Sequence, residues 1–124
     1  MSTDKLTPST TYAAIVGSII VLLREEKKID QATLAKSQNL SQSSWSRIER
    51  GESVINTEQL HSVALELGTT AGDILKRADE LAAELKDRDF NILTAKSKKR
   101  NDGALAFFAG AALTALIVTL IVKK

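Results

Sequence analysis

The chain has 124 residues, enough for one small domain and an appendage, and its 17 Lys/Arg against 15 Asp/Glu leave a net charge of +2. It contains no cysteine, which excludes disulfides, thiolate metal sites and cysteine nucleophiles. The charge is unevenly spread: residues 12–75 carry six basic against eight acidic side chains, and residues 76–124 carry ten against six.

Residues 1–11 open with a polar stretch that holds the single proline, and read as a flexible arm. Thr10 or Thr11 can cap a first helix running to about Lys27. Its apolar residues Ile15, Ile19, Ile20 and Leu23 follow a helical period. Val16, Val21 and Leu22 widen that surface well beyond one stripe, so the helix is expected to pack on more than one side, as in a dimer.

Asp30 is an N-cap for a second helix, Gln31 to about Ser37, with Leu34 and Ala35 inward. Gln38-Asn39-Leu40 forms a turn in which Asn39 can take the left-handed conformation. Ser41 caps a third helix, Gln42–Arg50, ended by Gly51. Leu40, Trp45 and Ile48 face inward there, and Gln42, Ser43, Ser46 and Arg47 face outward. Thr57 is placed as the cap of a fourth helix through Leu67. Thr70 to Asp73 resembles a capping box for a fifth.

The fifth helix is expected to be long. Ile74, Ala78, Leu81, Leu85 and Ile92 fall on heptad core positions, with Arg88 the mismatch. Residues 76–93 therefore read either as a short coiled coil or as an amphipathic helix packing back on the bundle. Residues 94–102 form a polar, basic linker.

Gly103–Val122 is an uncharged run of 20 residues. A helix of about 1.5 Å per residue makes that length match a bilayer core of roughly 30 Å. The expectation is a single transmembrane helix over residues 103–122. Lys96, Lys98, Lys99 and Arg100 form its heavier basic flank, which would keep the N-terminal domain in the cytoplasm, with the lipid bilayer as a partner and the inner membrane as location.

The stretch Ile29–Ser53 resembles the Cro/C1-type helix-turn-helix family, also called the Xre family, and Tyr12–Leu75 resembles the family's five-helix domain. The resemblance rests on Gln31 opening the second helix, Leu34-Ala35 within it, Ser41 opening the third, and the run Trp45-Ser-Arg-Ile-Glu-Arg-Gly51. Asn39 stands where glycine is usual. The implied fold is an all-α, five-helix bundle at residues 12–75, with an extended fifth helix and then the transmembrane helix.

A helix of this kind fits the major groove and offers its exposed edge to the bases. Gln42, Ser43, Ser46 and Arg47 are the candidate base contacts. The resemblance makes Gln31 a phosphate contact, and Lys36, Ser41 and Arg50 are the other candidates. It also implies an Arg24–Glu49 pair, which with Trp45, Ile48 and Gly51 would be structural. His61, the only histidine, has no carboxylate or cysteine arranged around it in the sequence.

The function expected is a membrane-anchored, sequence-specific transcriptional regulator that binds double-stranded DNA as a homodimer. The alternative is a membrane-tethered interaction module whose helix-turn-helix domain binds a membrane or cytoskeletal protein. No nucleophile–base pair, metal cluster or phosphate-cradling loop is visible in the sequence. Neither an enzyme nor a cofactor is expected.

Overall fold

The computed structural model describes residues 7–94 and 105–122. Its order is β1 (Thr7–Thr11), α1 (Tyr12–Glu26), α2 (Gln31–Ser37), α3 (Gln42–Glu49), α4 (Thr57–Glu66), α5 (Ala71–Asp87), β2 (Asn91–Leu93), β3 (Leu105–Phe107) and α6 (Gly110–Val122).

Local capping chemistry sets the first five helix starts. A side-chain oxygen of Thr11, Asp30, Ser41, Asn56 or Thr70 accepts from a backbone amide in the first turn, three residues on. In α4 the cap is Asn56, one residue before the expected Thr57, because Gln59 reaches back to the Asn56 amide and closes a capping box. The turn between α2 and α3 places Asn39 at φ 58°, in the left-handed region. Gly51, at φ 75°, ends α3 hard against Ala14 of α1, where a Cβ would lie 2.4 Å from the Ala14 Cα.

Helix α1 is the centre of the core. Ala14, Ile15, Val16, Ile19 and Ile20 are all buried. The helix packs against α3, α5 and α6, which accounts for its excess of apolar residues within one chain. Leu34 and Ala35 of α2, Trp45 and Ile48 of α3, Leu60, Val63 and Ala64 of α4, and Ile74, Ala78 and Leu85 of α5 complete this core.

Three expectations fail here. The fold is mostly helical, with six helices among the described residues, but not all-α. Strands β2, β1 and β3 form a parallel sheet in that order. Thr7–Thr11, expected in the flexible arm, are its central strand, pairing Ser9 with Asn91 on one side and with Phe107 on the other. The β-branched threonines suit a strand, and Ser9 and Thr10 are fully buried in it. The Thr10 hydroxyl donates to the Phe108 carbonyl at 2.7 Å.

The second failure is the length of the fifth helix. It stops at Asp87, with Arg88 as its C-cap and Asp89 at φ 65°. Ile92, assigned to a heptad core position, lies instead in β2. The helix packs on α1 and α4 of its own chain.

The third is the transmembrane helix. No helix among the described residues is long and apolar enough to cross a membrane. The run expected to span is divided: Leu105–Phe107 pair with β1, Gly110 takes φ 59°, and the helix that follows has 13 residues. At about 1.5 Å per residue it reaches roughly 20 Å, well short of a bilayer core. Leu113, Ile117 and Leu120 are buried in the shared core. The Thr114 hydroxyl donates to Ser18 Oγ of α1 at 3.1 Å. The single-pass inner-membrane location is therefore overturned, and the lipid-bilayer partner is left without support. Lys96, Lys98, Lys99 and Arg100, with the linker they belong to, lie outside the described residues.

Two outcomes test this packing. Leu113→Ala and Ile117→Ala should each destabilise the chain by about 2–5 kcal/mol in denaturant unfolding, the usual cost of emptying a buried aliphatic site; losses near zero would show α6 undocked. The Tyr12 hydroxyl donates to Asp79 at 2.7 Å. Burial and then that carboxylate push its pKa from 10.0 to about 12. A raised phenol pKa adds stability that is complete below 10 and is lost as pH rises toward 12. Because Tyr12 is the only tyrosine, phenolate absorbance reads it directly, and Asp79→Asn should move its midpoint back toward 10.

Candidate nucleic-acid interface

The interface is built on a buried carboxylate. Glu49, at the end of α3, is 3% exposed and receives four hydrogen bonds. Its Oε2 accepts from Arg24 Nε at 2.8 Å and from Trp45 Nε1 at 2.7 Å. Its Oε1 accepts from Arg24 Nη2 at 3.0 Å and from Gln31 Nε2 at 2.8 Å. One side chain thus ties together α1, α2 and α3. A charge this deep is tolerated only when its partner and its remaining lone pairs are satisfied. Arg24 also donates to the Ile29 carbonyl at 3.0 Å, so both members of the pair are anchored.

The helices approach closely at this point because residue 17 is glycine. A Cβ there would lie 2.2 Å from the Glu49 carbonyl oxygen. Trp45 is fully buried and Ile48 6% exposed, so the inner face of α3 is fixed against α1 and α2. Its outer edge is left as a rigid, solvent-facing row.

Gln42, Ser43 and Arg47 are exposed on that row and Ser46 is half-buried. Gln42 Nε2 donates to Gln31 Oε1 at 3.2 Å, joining the first residues of α2 and α3. Ser41, the cap, lies 3.3 Å from the Ser43 hydroxyl and 3.0 Å from that of Ser44. Arg47 makes no ion pair among the described residues. The two carboxylates nearest in sequence are engaged elsewhere: Glu49 by Arg24, and Glu52 by Arg50 at 2.7 Å. Lys36 is exposed on α2.

Arg50, unlike Arg47, is engaged on its own surface. It bonds Glu52, whose carboxylate holds the guanidinium above its ordinary pKa, and it also donates to Ser46 Oγ. Its stem lies beside Gly110, where an added Cβ would come within 3.3 Å of Cγ. A cleft of about 410 Å³ runs between Gln31, Ser46 and Arg50 on one side and Ala111 and Thr114 of α6 on the other. His61 is exposed on α4. Among the described residues no group of His, Asp and Glu is arranged to hold a metal ion.

Sequence reasoning missed two features. One is the donation from Trp45 to Glu49, signalled by their four-residue spacing on a helix. The other is the placement of Gly110 beside Arg50, for which the sequence carries no local signal.

Residues 20–80 match the family described as the Cro/C1-type HTH DNA-binding domain. Two crystal structures of the clp gene regulator ClgR from Corynebacterium glutamicum are similar to the chain. One is 28% identical, with a TM-score of 0.56, and the match covers 61% of this chain and 84% of that one. The other is 28% identical, with a TM-score of 0.52, and the match covers 56% and 90%. No curated protein matches the chain. The Cro/C1-type domain and its regulator neighbours agree with the expectation that the chain is not an enzyme.

Removing one member of a buried pair leaves the other charge unpaired, at a cost of about 3–5 kcal/mol. Arg24→Met should therefore destabilise the Cro/C1-type domain by that amount in urea unfolding. Glu52→Gln, at the exposed Arg50–Glu52 pair, should cost far less, because solvent screens that pair. Equal losses for the two substitutions would contradict the burial difference.

Proposed function

We propose that the chain is a sequence-specific DNA-binding regulator of transcription. The observation that carries this reading is the outer edge of α3. Gln42 and Arg47 are exposed, and Arg47 is unpaired among the described residues, on a helix whose inner face is locked by Trp45, Ile48 and Glu49. A purely structural helix has no need of a free guanidinium beside an exposed amide. The match to a DNA-binding domain family and the likeness to a gene regulator support the same reading.

In this reading residues 12–75 are the DNA-reading unit. Helix α3 enters the major groove. Gln42 pairs through its amide with adenine, and Arg47 pairs with guanine O6 and N7. Ser43 and Ser46 make shorter contacts at the groove edge. Gln31, Ser41, Lys36 and Arg50 hold the sugar–phosphate backbone and set the register. A homodimer on an inverted repeat places its two half-sites about one helical turn apart.

The acidic balance of residues 12–75 shapes the energetics. Few cations face the proposed phosphate path, so counterion release is small. The plot of log K against log salt should have a slope of about −2 per protomer, near −0.9 for each of Lys36 and Arg50. Lys36→Ala should reduce that slope by about one.

The test is selection of bound sequences from random duplex DNA by the full chain, beside a Gln42→Ala/Arg47→Ala variant. Enrichment of one inverted repeat, lost in the variant, is the expected outcome. A folded wild-type chain that enriches nothing at low salt would overturn the proposal.

A further inference from the structure

A groove of about 480 Å³ opens where α1, α5 and α6 meet. Its apolar wall is made by Ile19, Leu22 and Leu23 of α1, Leu81 of α5, and Val118 and Ile121 of α6. Ile19 is buried, while Val118 and Ile121 are 40% and 54% exposed. Three charged side chains complete the lining: Glu26 at the end of α1, and Arg77 and Glu80 on α5. Arg77 is already neutralised, donating to Asp73 at 3.0 Å. Neither Glu26 nor Glu80 makes an ion pair among the described residues. An apolar hollow is thus edged by two uncompensated carboxylates. It shares no residue with the cleft beside α3.

We propose that this groove is a binding site for an amphipathic organic cation, whose hydrocarbon part lies on the apolar wall and whose charged head is held by Glu26 and Glu80. The volume falls within the roughly 300–1,000 Å³ of small-molecule sites, which join a mostly apolar lining to a few polar groups. Nine residues line the groove, whereas a stable protein interface takes about 20–30 residues a side. Its size therefore suits a small molecule and not a second chain. Charge decides the class of that molecule. Two carboxylates beside an apolar wall repel an anionic head and attract a cationic one. The end of α1 acts in the same sense, because the helix dipole is negative where Glu26 stands. The lysines that follow do not line the groove. Lys27 Nζ reaches instead toward Gly68 at the end of α4, where an added Cβ would lie 2.7 Å from it. A hydrocarbon chain in the groove would also cover Val118 and Ile121, which the fold leaves in water.

The experiment titrates the full-length chain by calorimetry, without DNA, with decyltrimethylammonium, decanol and decanoate, each below its micellar concentration. The three probes share one chain length and differ in charge. The cation should bind saturably and roughly tenfold more tightly than the alcohol, with decanoate weaker than either. Glu26→Gln/Glu80→Gln should remove about that tenfold from the cation and leave the alcohol unchanged. Val118→Trp, at an exposed position, should fill the groove and weaken both probes. Thermal unfolding alongside shows whether each variant is folded, and saturating cation should raise the wild-type midpoint, since only the folded chain brings the three helices together. Equal affinity for the three probes, no binding of the cation, or unchanged cation affinity in the folded double variant would overturn the proposal. So would a dimer in sedimentation that Val118→Trp dissociates, which would assign the groove to a second copy of the chain. Because no DNA is present, none of these outcomes depends on the DNA-reading function.

Discussion

The structure depends on how one buried carboxylate is satisfied. Glu49 is surrounded by Arg24, Trp45 and Gln31, which come from the three helices α1, α2 and α3. An uncompensated charge at that depth costs several kcal/mol. The geometry that avoids the cost is narrow: α1 has to approach α3 closely enough for Arg24 to grip both oxygens, and Gly17 makes room for that approach. Fixing these helices fixes the orientation of α3, and with it the row of side chains that faces outward. Four donors from three helices meet that requirement.

The helix-turn-helix region was legible in the sequence because its signals are local. Asp30 and Ser41 sit where caps are needed, Asn39 where a left-handed residue is needed, and Gly51 where the third helix has to end. Their effects reach only three or four residues, so sequence order reveals them. The Arg24–Glu49 pair was reached through the resemblance alone, since 25 residues separate its members and no periodicity links them.

The C-terminal region was misread for a related reason. An uncharged run of 20 residues carries the same composition whether lipid or protein surrounds it, and the sequence does not say which. The counterpart lay far away, in α1, which packs against α6 and whose Ser18 accepts from Thr114. Leu113, Ile117 and Leu120 of α6 are buried in the core they share with it. The strands were invisible for the same cause. Each is five residues or fewer, and β1 meets its partners only across more than 80 residues of intervening chain. The end of α5 was missed because heptad positions continue in sequence through Arg88 and Asp89, where the backbone turns away.

The reading of α3 as the DNA-facing element is the central claim, and backbone and side-chain amide NMR of the full chain, titrated with its selected duplex, addresses it most directly. The account predicts that shift changes concentrate at residues 41–47 and at the side-chain amides of Gln31 and Gln42. The Trp45 indole N–H should stay protected from solvent exchange throughout. Changes centred instead on the outer faces of α5 and α6, with residues 41–47 unmoved, would contradict it.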